Sequence, residues 1–203
     1  MTRPWYGEIV HTLLTLSQPQ ELCVDFVYTS SEFVPPLGEY PPNRVAGPVP
    51  GFVGMALPDK PTALGIGLGY HRDRAIGLKD YLDPKLTVLF YPNPSLDPRY
   101  VEAVGITNQQ MLNEVSPNNI IAYPVNDYVA TFSILNSLCE GLMKNTRVVL
   151  CSFGPKNFGL CCFLVAAIRR DISIWRVSAD THEAPFDHKP SGVRLVLKTV
   201  WES

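Results

Sequence analysis

Short runs of valine, isoleucine, leucine and aromatic residues recur along this chain, separated by longer segments in which apolar residues return every three or four positions. The short runs at 22–28, 63–68, 86–91, 119–123, 147–152, 172–177 and 194–200 have strand length. L-T-V-L-F-Y at 86–91 and R-V-V-L-C-S at 147–152 are apolar on both faces, as strands covered by helices on either side must be. The last run, V-R-L-V-L-K-T-V, alternates instead, which predicts an edge strand, antiparallel to its neighbour, with one face in water. Helical spacing predicts helices over 5–16, 71–82, 99–115, 127–144 and 158–170. Asp83-Pro84 ends the second of these, Pro117 lies just beyond the third, and Arg169-Arg170 suits the C-terminus of the last.

From residue 63 to 177 strand and helix alternate four times. That order predicts an α/β, Rossmann-like three-layer sandwich: a mostly parallel sheet of about six or seven strands, with an edge strand at the C-terminus. The whole chain, 1–203, reads as one domain. Residues 34–61 interrupt the alternation with eight prolines and four glycines, so no continuous helix forms there. Phe33, Tyr40, Phe52 and their apolar neighbours make this stretch too greasy for a linker, and we read it as a long ordered loop packed on the domain, a lid or a docking surface.

Composition narrows the classes. With 46% hydrophobic and 18% charged residues over 203 positions, the chain has enough core to need no metal or disulfide. A formal charge of −2 gives no overall attraction for duplex nucleic acid or an anionic membrane. The longest apolar stretch, 158–168, is too short to span a bilayer, and the N-terminus has no secretory pattern, so a cytoplasmic location is expected. Cys23, Cys139, Cys151, Cys161 and Cys162 form no C-x-x-C pair and have no histidine at ligand spacing; we expect buried thiols, no metal and no cofactor.

Ligands of parallel α/β sheets bind beyond the carboxyl ends of the strands. Three such exits carry candidate chemistry. In C-S-F-G-P-K-N-F-G-L, 151–160, a strand runs through a Gly154-Pro155 turn into a helix, whose first N–H groups and dipole favour an anion beside Lys156 and Asn157. This is not the phosphate-loop signature, and its bland reading is a well-made turn with a solvated lysine. In G-I-G-L-G-Y-H-R-D-R, 65–74, the alternating Gly65 and Gly67 read as packing positions. Gly69 sits at the exit, followed by Tyr70, His71, Arg72 and Arg74. Cations are unfavourable at a helix N-terminus, so a bound anion, or pairing with Asp73, must account for them. Asn93 lies at a third exit. Further on, Ser178, Asp180, His182 and Glu183 offer acid-base groups, but no G-x-S-x-G elbow accompanies them. Cys151 is the best-placed thiol nucleophile, with His71 or His182 as its base. Asp25, in L-C-V-D-F-V-Y, needs a partner such as Arg44 or a ligand hydroxyl if its strand is central, and faces water if the strand is an edge.

The strand-helix order over 63–177, with the G-P-K turn, resembles Rossmann-like ligand-sensing and regulatory domains, some of which belong to bacterial defence systems. The first expectation is therefore a binding or regulatory domain for a phosphorylated small molecule, a nucleotide foremost. The second is a hydrolase or transferase acting on a nucleotide or nucleoside at the same site, with His71, Asp73, Asp127 and His182 as acid-base candidates. The third is an interaction subunit that docks a protein partner or another copy of itself through the proline-rich segment.

Overall fold

The fold is that of a computed structural model, which describes residues 3–15, 21–36, 45–178 and 188–201. In chain order the elements are α1 (Arg3–Thr15), β1 (Leu22–Ser31), β2 (Val45–Pro48), β3 (Thr62–Gly67), α2 (Arg72–Leu82), β4 (Leu86–Pro92), α3 (Pro98–Thr107), α4 (Gln109–Glu114), a 3-10 turn (Pro117–Asn119), β5 (Ile120–Tyr123), α5 (Tyr128–Met143), β6 (Arg147–Ser152), α6 (Lys156–Ile168), β7 (Ser173–Ser178) and β8 (Pro190–Trp201).

Six strands form the central sheet, in the order β2-β7-β6-β3-β4-β5. β3 to β7 run parallel, and β2 lies antiparallel along the outside of β7. β3 starts the parallel series in the middle. The chain steps outward to β4 and β5, then crosses back to β6 and β7 on the other side of β3. This is the doubly wound order, with its switch point between β3 and β6.

The two faces bury separate cores, because side chains alternate along each strand. Leu64, Ile66, Leu89, Val149 and Cys151 face α2, α3 and α4, where they meet Ala75, Leu78, Val104 and Met111. Val88, Phe90, Val148 and Leu150 face α1, α5 and α6, and pack among Val10, Leu135, Phe158 and Leu160. α6 is buried almost all round, which explains its nearly unbroken apolar sequence. Gly65 and Gly67 lie under this second layer. A Cβ on Gly65 would press on Leu150 and Phe90, and one on Gly67 would collide with Phe158, so both are packing positions as expected.

The expected three-layer α/β arrangement is present, with four differences. The segment expected as one helix over 99–115 is two, broken at Asn108, whose side chain leaves the helix pattern to bond elsewhere. The helix expected from 158 begins at Lys156. The C-terminal strand is antiparallel, but it pairs with β1 in a separate two-stranded sheet. The sixth strand of the main sheet is β2, from the proline-rich segment. Proline is tolerated there because an edge strand leaves some N–H groups unpaired. From Val49 to Met55 that segment stays bonded along β7 and the turn before it, through Val49 N to Ile174 O at 2.8 Å, Ile174 N to Phe52 O at 3.0 Å and Met55 N to Arg170 O at 3.2 Å. Val49 and Phe52 are buried, while Val53, Met55 and Leu57 are exposed. Tyr40 and Arg44 lie outside the described residues.

The β1–β8 sheet covers the α1/α5/α6 side of the core through Phe26, Val24, Leu195, Leu197 and Trp201. Asp25 is on its outer face, exposed, with Lys198 4.0 Å away, which settles the question raised by its place in an apolar run. Cys139, Cys151, Cys161 and Cys162 are buried as expected, but Cys23 is exposed on that same outer face, because the strand is covered on one side only.

Candidate functional site

β3 and β6 are direct neighbours with Gly67 opposite Ser152, so the two turns of interest leave the sheet side by side. From there the chain goes to opposite faces, into α2 on one and α6 on the other. Two helix N-termini therefore flank the switch point, each presenting the positive end of a helix dipole.

The turns touch through their backbones. A Cβ on Gly69 would collide with the carbonyl oxygen of Phe153, and one on Gly154 with that of Leu68. Gly154 does not have a positive φ, so close approach, not turn geometry, demands glycine there. Phe153 N donates to Gly67 O at 2.8 Å, and Leu68 N to Phe90 O at 2.9 Å. The Gly69 carbonyl accepts from Asn108 Nδ2 at 2.8 Å, and the same nitrogen bonds Val104 O at 2.8 Å. Asn108 is 1% exposed, and it is the residue that sequence reasoning missed. Its only signal was a polar residue in the middle of an amphipathic segment.

On the α2 side His71 occupies the N-cap position without a side-chain cap bond, and its Nδ1 is shielded from solvent. Arg72 opens the helix and is paired with Asp73 at 3.1 Å, both well exposed. Arg74 turns inward and is buried with Ala75 and Leu78. The cations expected at this helix start thus separate: one held by a carboxylate in solvent, one buried.

On the α6 side Pro155 is the N-cap and Lys156 the first helical residue. Asn157 is buried; its amide donates to Val125 O, while its Oδ1 accepts from Phe158 N at 3.0 Å. Val125 N in turn donates to Pro94 O at 3.0 Å, and Asn93 N to Tyr123 O at 3.0 Å. The exits of β4, β5 and β6 are thereby tied together, with Asn157 spending its side chain on this tie. The Asn93 side chain is exposed. Below the α6 turn, Ser152 Oγ is shielded from solvent and makes no hydrogen bond.

A strap lies over the α2–α3 part of the rim. As β1 ends, Tyr100 Oη donates to Glu32 O at 2.9 Å and lies 3.2 Å from Ser31 Oγ, and Tyr70 Oη donates to Val34 O at 3.1 Å. Tyr70 stacks on Tyr100 with ring centres 6.2 Å apart, and Phe33 meets Tyr100 edge-on at 5.0 Å. The Arg99 guanidinium sits 4.6 Å from the Phe33 ring centre. Its hydrogen bonds to Asp97 hold that carboxyl below the usual carboxylate range.

Two of the described acid-base candidates have structural partners. Asp127 is the N-cap of α5, with its Oδ1 accepting from Ala130 N at 2.9 Å. Asp73 is engaged with Arg72. Cys151 is 2% exposed and faces the α2 layer, out of reach of a substrate, so its proposed nucleophile role fails on access. Asp180, His182 and Glu183 lie outside the described residues. Among the described residues no cluster of histidine, cysteine and carboxylates has metal-ligand geometry, and no helix is long and apolar enough to cross a membrane. No protein-family model matches this sequence, and no curated protein is significantly similar to it.

Proposed function

We propose that this chain is a ligand-binding or regulatory domain for a phosphorylated small molecule, with a nucleotide as the foremost class, held at the rim between α2 and α6. One observation carries the reading: the β3 and β6 exits are adjacent while their helices lie on opposite faces, so two N-terminal dipoles point at one place. Arg72, which is paired with Asp73, and Lys156 stand in the first turns of those helices and add positive charge there. The backbone contact between Gly69 and Gly154 holds the two turns together below them. Binding is favoured over turnover because Asp127 and Asp73 are engaged structurally and Cys151 is buried.

The test is thermal unfolding with ATP, ADP, AMP and inorganic phosphate at millimolar concentration. A ligand at 100 times its Kd stabilises by about 2.7 kcal/mol, roughly 5–10 °C for a chain of this size. Lys156→Ala and Arg72→Ala are each expected to weaken binding about tenfold. Melting temperatures that ignore every anion in the panel overturn the proposal.

A further inference from the structure

The outer face of the β1–β8 sheet carries three exposed valines among charged residues, and we infer that a second copy of this chain docks on it. Along β1, Val24, Phe26 and Tyr28 turn inward, and Cys23, Asp25, Val27 and Thr29 turn outward. Along β8, Leu195, Leu197, Thr199 and Trp201 turn inward, and Arg194, Val196, Lys198 and Val200 outward. A sheet covered on one side normally presents a polar outer face. Here Val27, Val196 and Val200 are 59%, 49% and 57% exposed. They are not scattered: Val27 lies opposite Val196, and Cys23 opposite Val200. Neither strand pairs with any other among the described residues.

The charges on this face select the occupant. Asp25 lies opposite Lys198, one step from the valine pair, and Thr29 opposite Arg194 on the other side of it. A twofold axis parallel to the strands lays β1 of each copy over β8 of the other at the same height. Asp25 then faces Lys198 of the second copy, and Lys198 faces Asp25 of the second copy, with valine on valine between the two chains. An axis across the strands at the valine pair would instead set Lys198 against Arg194 of the second copy, two like charges. The sheet is thus complementary to itself in one orientation only of these two. Its outward residues from 23 to 29 span about 20 Å, and two strands are about 10 Å wide, far less than the ~800 Å² per partner of a stable interface. An interface of that size is weak, so association is to be sought from about 5 μM up to several hundred micromolar.

Sedimentation velocity of the full chain over that range is the first measurement. Asp25→Lys and Lys198→Asp should each keep the chain monomeric throughout, since each makes its copies repel. Mixed one to one, the two variants should associate again. The contact between residues 25 and 198 within one chain is lost in both, so recovery on mixing reports the contact between chains. Val196→Lys, checked for native circular dichroism, should abolish association. A wild-type chain that stays monomeric at about 500 μM overturns the inference and leaves the face to a different partner. Variants that associate as the wild type does, or fail to associate when mixed, overturn it too.

Discussion

Gly69 and Gly154 face one another across the switch point, and each is glycine because the other turn's carbonyl carbon and oxygen occupy the space a Cβ would need. Sequence alone points to Gly154 as a turn residue; that two turns press together there depends on a strand pairing between positions 85 residues apart. Burial likewise separates the cysteines. It pushes the Cys139 and Cys161 thiols up to about 12 and that of Cys162 well above its ordinary value, since an apolar surrounding disfavours the thiolate. Cys151 is equally covered, and Cys23 is exposed. A disulfide-exchange reagent at pH 8 should therefore modify one thiol in the native chain and five in denaturant. The rate at Cys139 and Cys161 should stay negligible from pH 7 to 9. A second fast thiol under native conditions would contradict this assignment.

Helix starts are where sequence signals and function are most easily confused. Asp127 follows a strand exit and reads as a catalytic carboxylate; in the fold it caps α5. Asp127→Ala should cost about 1 kcal/mol, seen as a lower urea midpoint, while Asp127→Ser keeps most of the stability. Neither should alter nucleotide affinity, because the carboxylate serves α5 alone. Asp97 does the same for α3 through Arg99 N at 2.9 Å. The break between α3 and α4 at Asn108 was illegible in the apolar spacing, which continues through it. Its cause lies in another element, the Gly69 carbonyl that Asn108 reaches. The apolar content of the proline-rich segment pointed to packing on the domain, and Val49 and Phe52 are buried. That four of its residues complete the sheet as β2 was not, because proline signals a break and an edge strand contradicts that signal only once β7 is beside it.

At the scale of the whole molecule, the β1–β8 sheet is a small unit that would be marginal alone. It shares one core with the main sheet, for Phe26 is buried in the same cluster as Phe52 and Phe158. The two sheets should consequently unfold together. Urea unfolding followed through Trp201 in the small sheet and through Trp175 in β7, each with the other tryptophans replaced by phenylalanine, should give coincident transitions. Phe26→Ala should lower both midpoints, by about 3 kcal/mol or more of stability. Separate transitions would mean that the small sheet is an independent module.

Taken by itself, the order of residues determined the periods: two-faced apolar strands, the helices between them, the parallel series from β3 to β7 and the polar exits. These follow from side-chain direction along a backbone, a local property. Which exits meet, which carboxylates are already engaged, where Asn108 and Asn157 spend their hydrogen bonds and which strand completes each sheet were decided only by the tertiary structure. Those outcomes rest on contacts between positions far apart in the chain, whose energies no single segment contains.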